Sequence, residues 1–107
     1  MNDSDDEIVR KPGIITDECE TMLNEAVDYI EERSPKQAKI MLKKFETIVG
    51  LLETFPEIGT KCQKGMRKFK LGKFRYNIFY KIKETEIEIL GIWHTSRGTE
   101  FVEPQGE

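Results

Sequence analysis

Histidine and cysteine are scarce in this chain of 107 residues, which contains one histidine and two cysteines. A zinc site built from these residue types needs about four ligands. Cys19 and Cys62 lie far apart and outside any Cys-x-x-Cys pair, and His94 is the only histidine. We therefore expect no metal site and no cofactor, and we expect both cysteines to be reduced and partly buried.

Long apolar runs are also absent. No stretch approaches the ~20 residues that span a bilayer, and residues 1–7 are acidic, whereas a secretory signal begins with a basic segment and continues with an apolar one. The sequence thus predicts no membrane segment and a cytoplasmic location. We expect a mobile acidic tail over residues 1–7, a single domain over residues 8–103 and a second tail over residues 104–107.

The net charge of −3 hides an uneven distribution of charge. Residues 1–60 carry seven basic and fourteen acidic side chains, whereas residues 61–100 carry ten basic and four acidic ones. Concentrated positive charge suits a polyanion or an acidic protein partner, although a solvated charged surface is the simpler interpretation. The basic side chains of the second half are therefore candidates for binding.

Two amphipathic helices are predicted in the first half. Thr16 or Asp17 is the expected N-cap of the first, whose apolar residues recur at spacings of three and four. Ser34 followed by Pro35 starts the second, which ends before Pro56. The short connection makes the two an antiparallel helical hairpin. The core faces are Cys19, Met22, Leu23, Ala26, Val27 and Ile30, then Ala38, Met41, Leu42, Phe45, Ile48, Val49, Leu52 and Phe55.

Ile40 and Leu51 fall outside the main apolar stripe of the second helix. One interpretation is a core face broader than usual. The other is an exposed hydrophobic surface on which a partner protein docks.

The apolar period changes from 3.6 to 2 in the second half, which predicts strands over residues 66–71, 73–83 and 86–95. Hairpin connections make these strands antiparallel, and Gly91 is a candidate for a β-bulge. Residues 8–16 predict a short edge strand, because proline cannot donate to a strand ladder. The fold class is therefore α+β, with a short N-terminal strand and a helical hairpin packed on one face of a small antiparallel sheet.

The two faces of the predicted sheet differ in chemistry. The apolar face, Phe74, Tyr76, Ile78, Tyr80 and Ile82, is expected under the helices, and the opposite face is expected to stay open. An open basic face can contact phosphates, and Phe79 on it either stacks on a base or packs against its neighbours. The expected residues of that face are Lys68, Lys70, Arg75, Asn77, Phe79, Lys81 and Lys83.

The ordered set of motifs resembles the RelE/ParE superfamily of type II toxins over roughly residues 8–103. The matching segments are Tyr29-Ile30, Ser34-Pro35 with Ala38, Leu52 with Pro56 and Gly59, Gly65-Met66-Arg67, Tyr76-Asn77-Ile78-Phe79-Tyr80, Ile87 to Ile92, and His94-Thr95-Ser96-Arg97. The resemblance implies a toxin that arrests growth, contributes to plasmid stabilisation and is neutralised by a cognate antitoxin. RelE-like members cleave ribosome-bound mRNA, whereas ParE-like members inhibit DNA gyrase.

For a RelE-like mRNA endonuclease, the resemblance implies a catalytic set of Lys68, Lys70 and Arg97. His94 is the candidate proton shuttle, because histidine is the residue type that ordinarily changes charge nearest to neutral pH. Two positions depart from that pattern. Asn77 stands where the family has an arginine, and Phe101, which has no hydroxyl, stands nearest the late tyrosine.

The ParE-like branch therefore fits the residues better, with mRNA cleavage as the alternative and a non-toxic binding module as a further one. The target would be bound by Arg67, Arg75, Lys81 and Lys83, and the antitoxin by Ile40 and Leu51.

Overall fold

The computed structural model describes residues 10–97 and residue 101. Five strands and two helices follow one another as β1 (Gly13–Ile15), α1 (Asp17–Glu31), α2 (Pro35–Thr54), β2 (Thr60–Lys61), β3 (Arg67–Lys70), β4 (Tyr76–Ile82) and β5 (Ile87–His94). Short 3-10 turns occupy Pro56–Ile58, Gln63–Gly65 and Thr95–Arg97. The tails predicted for residues 1–7 and 104–107 lie outside the described residues, and the limits of the domain at residues 8 and 103 remain a prediction.

Both helices begin at the predicted residues. The hydroxyl oxygen of Thr16 accepts a hydrogen bond from the Cys19 amide, 3.0 Å away, and the hydroxyl oxygen of Ser34 accepts one from the Gln37 amide at 3.2 Å. Each cap satisfies one of the amide groups that a helix leaves unpaired in its first turn. In the part of the chain that the structure describes, neither helix is long and apolar enough to cross a membrane.

The sheet has the order β1-β5-β4-β3-β2. Strands β3, β4 and β5 are antiparallel, as predicted. Strand β1 lies at the edge, as expected, but pairs in parallel with β5, placing Gly13 opposite Ile87 and making the five-stranded sheet mixed. Strand β2 was not predicted, because two residues are too short to show a period of two.

A β-bulge interrupts the pairing of β4 with β5 next to Gly91. Phe79 lies opposite Gly91, whereas the next residue, Tyr80, lies opposite Ile89, so Leu90 is the extra residue. The bulge keeps β5 buried on both faces, with Leu90 on one side and Ile92 on the other. The predicted bulge near Gly91 is thus confirmed.

The helical hairpin covers the predicted face of the sheet. The apolar stripes of α1 and α2 pack on side chains of β3, β4 and β5, and partly buried aromatic residues close the edges of this core. Burial of this apolar surface is the main stabilising contribution to the fold. The core residues contributed by β3, β4, β5 and the turn between β3 and β4 are Phe69, Leu71, Phe74, Tyr76, Ile78, Tyr80, Ile82, Ile87, Ile89 and Ile92.

Candidate functional site

The lysines of β3 lie on the face of the sheet that points away from the helices. Lys68 pairs with Phe79 and Lys70 with Asn77 across the β3–β4 ladder. Directly opposed residues of antiparallel strands share a face. Lys68, Lys70 and Asn77 therefore share one surface, as the sequence predicts.

This second face is not open throughout, which corrects one expectation. Phe101 stacks on Phe79 with ring centroids 4.6 Å apart, and Met66 and Leu90 complete a small second core. Phe79 and Phe101 are each 1% exposed. Phe79 therefore cannot stack on a nucleobase. The expectation failed because a residue near the end of the chain returns to cover the middle of the sheet.

Gly91 and Gln63 hold Phe101 in place. A Cβ atom at Gly91 would lie 2.8 Å from two ring carbons of Phe101 and from the Met22 sulfur, so only glycine leaves room for the ring. The side-chain amide of Gln63 donates to the Phe101 carbonyl oxygen at 2.9 Å. The second core is therefore closed to solvent, and Lys68 and Lys70 lie beside it.

Arg67 has a structural contact that limits its freedom. Its guanidinium donates to the carbonyl oxygens of Gly59 at 2.8 Å and Glu57 at 3.1 Å. The side chain thereby fastens the turn after α2 to the start of β3. Its predicted role in target binding remains untested.

The other three predicted target-binding residues do not form one cluster. Arg75 is exposed just before β4, with a backbone φ of 50°. Lys81 and Lys83 lie at the opposite end of that strand, where Lys83 makes an ion pair with Glu88 at 3.5 Å. At about 3.3 Å per residue, Arg75 and Lys83 are roughly 25 Å apart along the strand.

A cavity of about 560 Å³ opens between α1 and the end of β5. Aromatic side chains line part of it: Tyr76 and His94 make an edge-to-face contact at 4.9 Å, and Arg97 lies 4.9 Å above the ring of Trp93. Burial raises the pKa of the Tyr76 phenol, while the Arg97 charge opposes that shift. The phenol is therefore neutral near pH 7 and able to donate a hydrogen bond. The cavity is further lined by Met22, Glu25, Ala26, Tyr29, Ile92 and Ser96.

His94 is oriented by the turn that follows β5. The backbone amide of Ser96 donates to Nδ1 of His94 at 3.0 Å, and the Ser96 hydroxyl lies 2.8 Å from the same nitrogen. An Nδ1 atom that accepts from an amide bears no proton, so the proton of the neutral ring is on Nε2.

The four residues predicted for catalysis are not brought together. His94 contacts Tyr76, which belongs to the helix-covered face, whereas Lys68 and Lys70 lie on the other face. Arg97 adjoins His94 in the cavity. The sequence reasoning missed the cavity itself, although Met22, Glu25, Ala26 and Tyr29 recur at helical spacing on one side of α1.

Ile40 and Leu51 are exposed on the outward side of α2. Their side chains are 36% and 38% exposed, and at eleven residues apart they lie almost directly above one another on the helix. Lys39, Lys43 and Lys44 line a shallow groove with Ile40. This strip is apolar at its centre and basic at its sides.

The two cysteines are free in the structure. Cys19 is buried, and burial raises the pKa of its thiol from 9.0 to about 12, with a smaller contribution from the Glu20 carboxylate. Burial also raises the pKa of Cys62. Among residues 10–97 and 101, no group of three His, Cys, Asp or Glu side chains is placed to hold a metal ion.

The family model described as the ParE toxin of type II toxin–antitoxin systems, parDE, matches residues 14–98. The chain belongs to the ParE toxin family. A solved chain titled as the chromosomal ParDE toxin–antitoxin system of P. aeruginosa shares its fold, with a TM-score of 0.69 and 20% identity over 82% of this chain and 98% of that one. Comparison with curated protein sequences gives no match.

The ParE family match extends from β1 to the turn after β5. It includes the helical hairpin, the basic residues of β3 and the cavity-lining residues at the end of β5. This ParE-family chain is therefore a toxin of the type II toxin–antitoxin class, with its α+β fold of two helices on a five-stranded mixed sheet.

Proposed function

We propose that this toxin arrests growth by binding and inhibiting DNA gyrase in the cytoplasm, and that a cognate antitoxin neutralises it. The observation that carries the proposal is the ParE family match over residues 14–98. The ParE-like branch of the superfamily resembled by the sequence acts on gyrase, without cleaving RNA.

The placement of the charged residues supports a binding role over a catalytic one. Cleavage of RNA by attack of the 2′-hydroxyl needs an acid, a base and positive charge at one phosphate. Here the only histidine lies against Tyr76, on the other face of the sheet from Lys68 and Lys70. Phe101 has no proton to transfer and is buried.

The second face of the sheet carries positive charge suited to an acidic protein partner. Lys68 and Lys70 lie beside the small core around Phe101, whose residues are buried, so this face presents positive charge. Basic residues at the rim of an interface steer an acidic partner and raise its association rate. We assign this face to the contact with gyrase.

The test is a supercoiling assay with purified toxin, gyrase and relaxed plasmid. We expect the toxin to block supercoiling, and we expect the double variant K68E/K70E to require about tenfold more protein, because each reversal replaces an attraction with a repulsion. The variant K36Q, changed at an exposed lysine of α2, is the control and should match the parent protein.

Two further measurements separate the alternatives. In the first, supercoiling is unaffected at excess toxin, and primer extension shows that mRNA is cut when the toxin is induced. That result would identify ribosome-bound mRNA, and not gyrase, as the target. Normal growth when the folded and abundant protein is induced without antitoxin would identify a binding module that is no longer toxic.

A further inference from the structure

The cavity between α1 and the end of β5 is not needed for either surface assigned above. At about 560 Å³ it falls within the range of pockets that hold small molecules, about 300–1,000 Å³. Tyr76 and His94 provide aromatic side chains on the helix-covered side, and Trp93, whose ring packs on Phe101 at the other face, borders the cavity. Aromatic side chains of this kind can stack on planar rings such as nucleobases.

Arg97 supplies a positive charge that no carboxylate of the described residues neutralises. Its guanidinium lies over the Trp93 ring and makes no ion pair within residues 10–97. Two hydrogen bonds hold the backbone of the turn that carries Arg97. The Thr95 amide donates to the Arg75 carbonyl oxygen at 2.8 Å, and the Ser96 amide donates to Nδ1 of His94. A guanidinium can bind a phosphate through two parallel hydrogen bonds.

Two tyrosines add uncharged donors at the same cavity. Within the described part of the chain, the hydroxyl groups of Tyr29 and Tyr76 have no hydrogen-bond partner. Burial raises the pKa of Tyr76, which keeps its donor proton in place near pH 7. Both tyrosines line the same cavity as Arg97.

Glu25 contributes a single carboxylate to the lining. A carboxylate repels a bare anion but accepts hydrogen bonds from the hydroxyl groups of a ribose. The cavity therefore combines aromatic walls, a cation with hydrogen-bond donors, and one acceptor.

We propose that this cavity is a binding site for a nucleoside monophosphate, with the base against the aromatic walls, the phosphate on Arg97 and a ribose hydroxyl on Glu25. The three parts of such a ligand match the three kinds of group that line the site. Inorganic phosphate or a nucleoside alone matches only part of the lining.

Trp93 makes the site directly observable, because it is the only tryptophan of the chain. Its indole N–H gives one resonance in a proton–nitrogen correlation spectrum. In a titration of the purified toxin with AMP, GMP, CMP and UMP, we expect at least one nucleotide to shift that resonance in a saturable manner. Adenosine and ribose 5-phosphate, each lacking one recognised part, should bind about tenfold or more weakly than AMP if the adenine nucleotide is the ligand.

Two variants test the assignment of the residues. R97Q removes the charge and should weaken nucleotide binding about tenfold or more, while leaving the binding of the nucleoside nearly unchanged. Y76F removes one donor and keeps the aromatic wall, so a smaller loss is expected. The control variant K36Q, on α2, should bind as the parent protein does.

The proposal is overturned if no nucleotide shifts the Trp93 resonance, if ribose 5-phosphate binds as tightly as the nucleotides, or if R97Q binds them with unchanged affinity. The first two outcomes use the unmodified chain, so they do not depend on how any variant folds. A nucleotide that shifts the resonance without changing gyrase inhibition still supports the site, because binding is what is measured.

Discussion

The hydroxyl oxygen of Tyr80 lies 3.0 Å from the amide nitrogen of Gly59 and accepts its hydrogen bond. The same hydroxyl donates to the carbonyl oxygen of Pro56 at 2.7 Å. A Cβ atom at Gly59 would lie 2.8 Å from the carbonyl oxygen of Lys68. Only glycine therefore allows the backbone at position 59 to lie this close to β3. One side chain from the middle of the sheet thus fastens the turn that follows α2.

The variant Y80F should destabilise the fold by about 1–3 kcal/mol, because the Gly59 amide and the Pro56 carbonyl lose their partner in a buried place. The loss is measured as the free energy of unfolding in urea. Y29F is the matched control, since Tyr29 is 56% exposed and its change should stay within about 0.5 kcal/mol. An equal effect of both changes would contradict the proposed fastening.

The variant G91A should destabilise the protein by about 1–3 kcal/mol, since the added methyl group would collide with Phe101 and Met22. Loss of the Phe101 stack should also expose the chain at Phe101 to proteolysis before global unfolding. G50A is the control, because Gly50 lies inside α2 with open space around it. It should stabilise the protein by about 0.5–1 kcal/mol.

The stability of the protein should fall as the pH rises above about 9. Burial raises the pKa of Cys19 from 9.0 to about 12, and it also raises the pKa of Tyr76 and Tyr80. A raised pKa means that the unfolded chain releases the proton first, so stability is complete below pH 9 and decreases between pH 9 and about 12. Unfolding in urea at several pH values measures the slope. The variant C19A should be less sensitive to pH over this range, whatever its stability at pH 7, and an unchanged slope would remove Cys19 as the cause.

Antitoxin binding should depend on the outward side of α2. The double variant I40D/L51D places charge at the apolar centre of the strip and should weaken the complex about tenfold or more. The partner to test is the protein encoded by the neighbouring reading frame, with affinity measured by calorimetry and growth rescue measured in co-expression. E46Q, changed at an exposed residue on another side of the helix, should bind normally. Full rescue of the double variant with unchanged affinity would place the antitoxin elsewhere.

The sequence predicted the helices well because their signals are local. Thr16 and Ser34 are caps that act within three residues, and the apolar stripes follow from the period of the helix. The alternation of β4 likewise assigned Tyr80 and Phe79 to the correct faces. Each of these features depends on residues near one another in the chain.

The features that the sequence did not predict depend on distant residues. Phe101 covers Phe79 from 22 positions away, and no local pattern marks it as a core residue. The parallel pairing of Gly13 with Ile87 is equally remote. The cavity arises where Tyr29 of α1 meets Tyr76 and His94 at the end of the sheet, so it exists only once the tertiary structure is formed.

The parallel pairing of β1 with β5 closes a loop of the chain. Both helices and the strands β2, β3 and β4 belong to that loop. A single cut in the loop at Gly72, where the backbone φ is 56° and the residue is exposed, would leave both fragments attached through this seam. A nicked toxin would then remain assembled in water and fall apart only in denaturant.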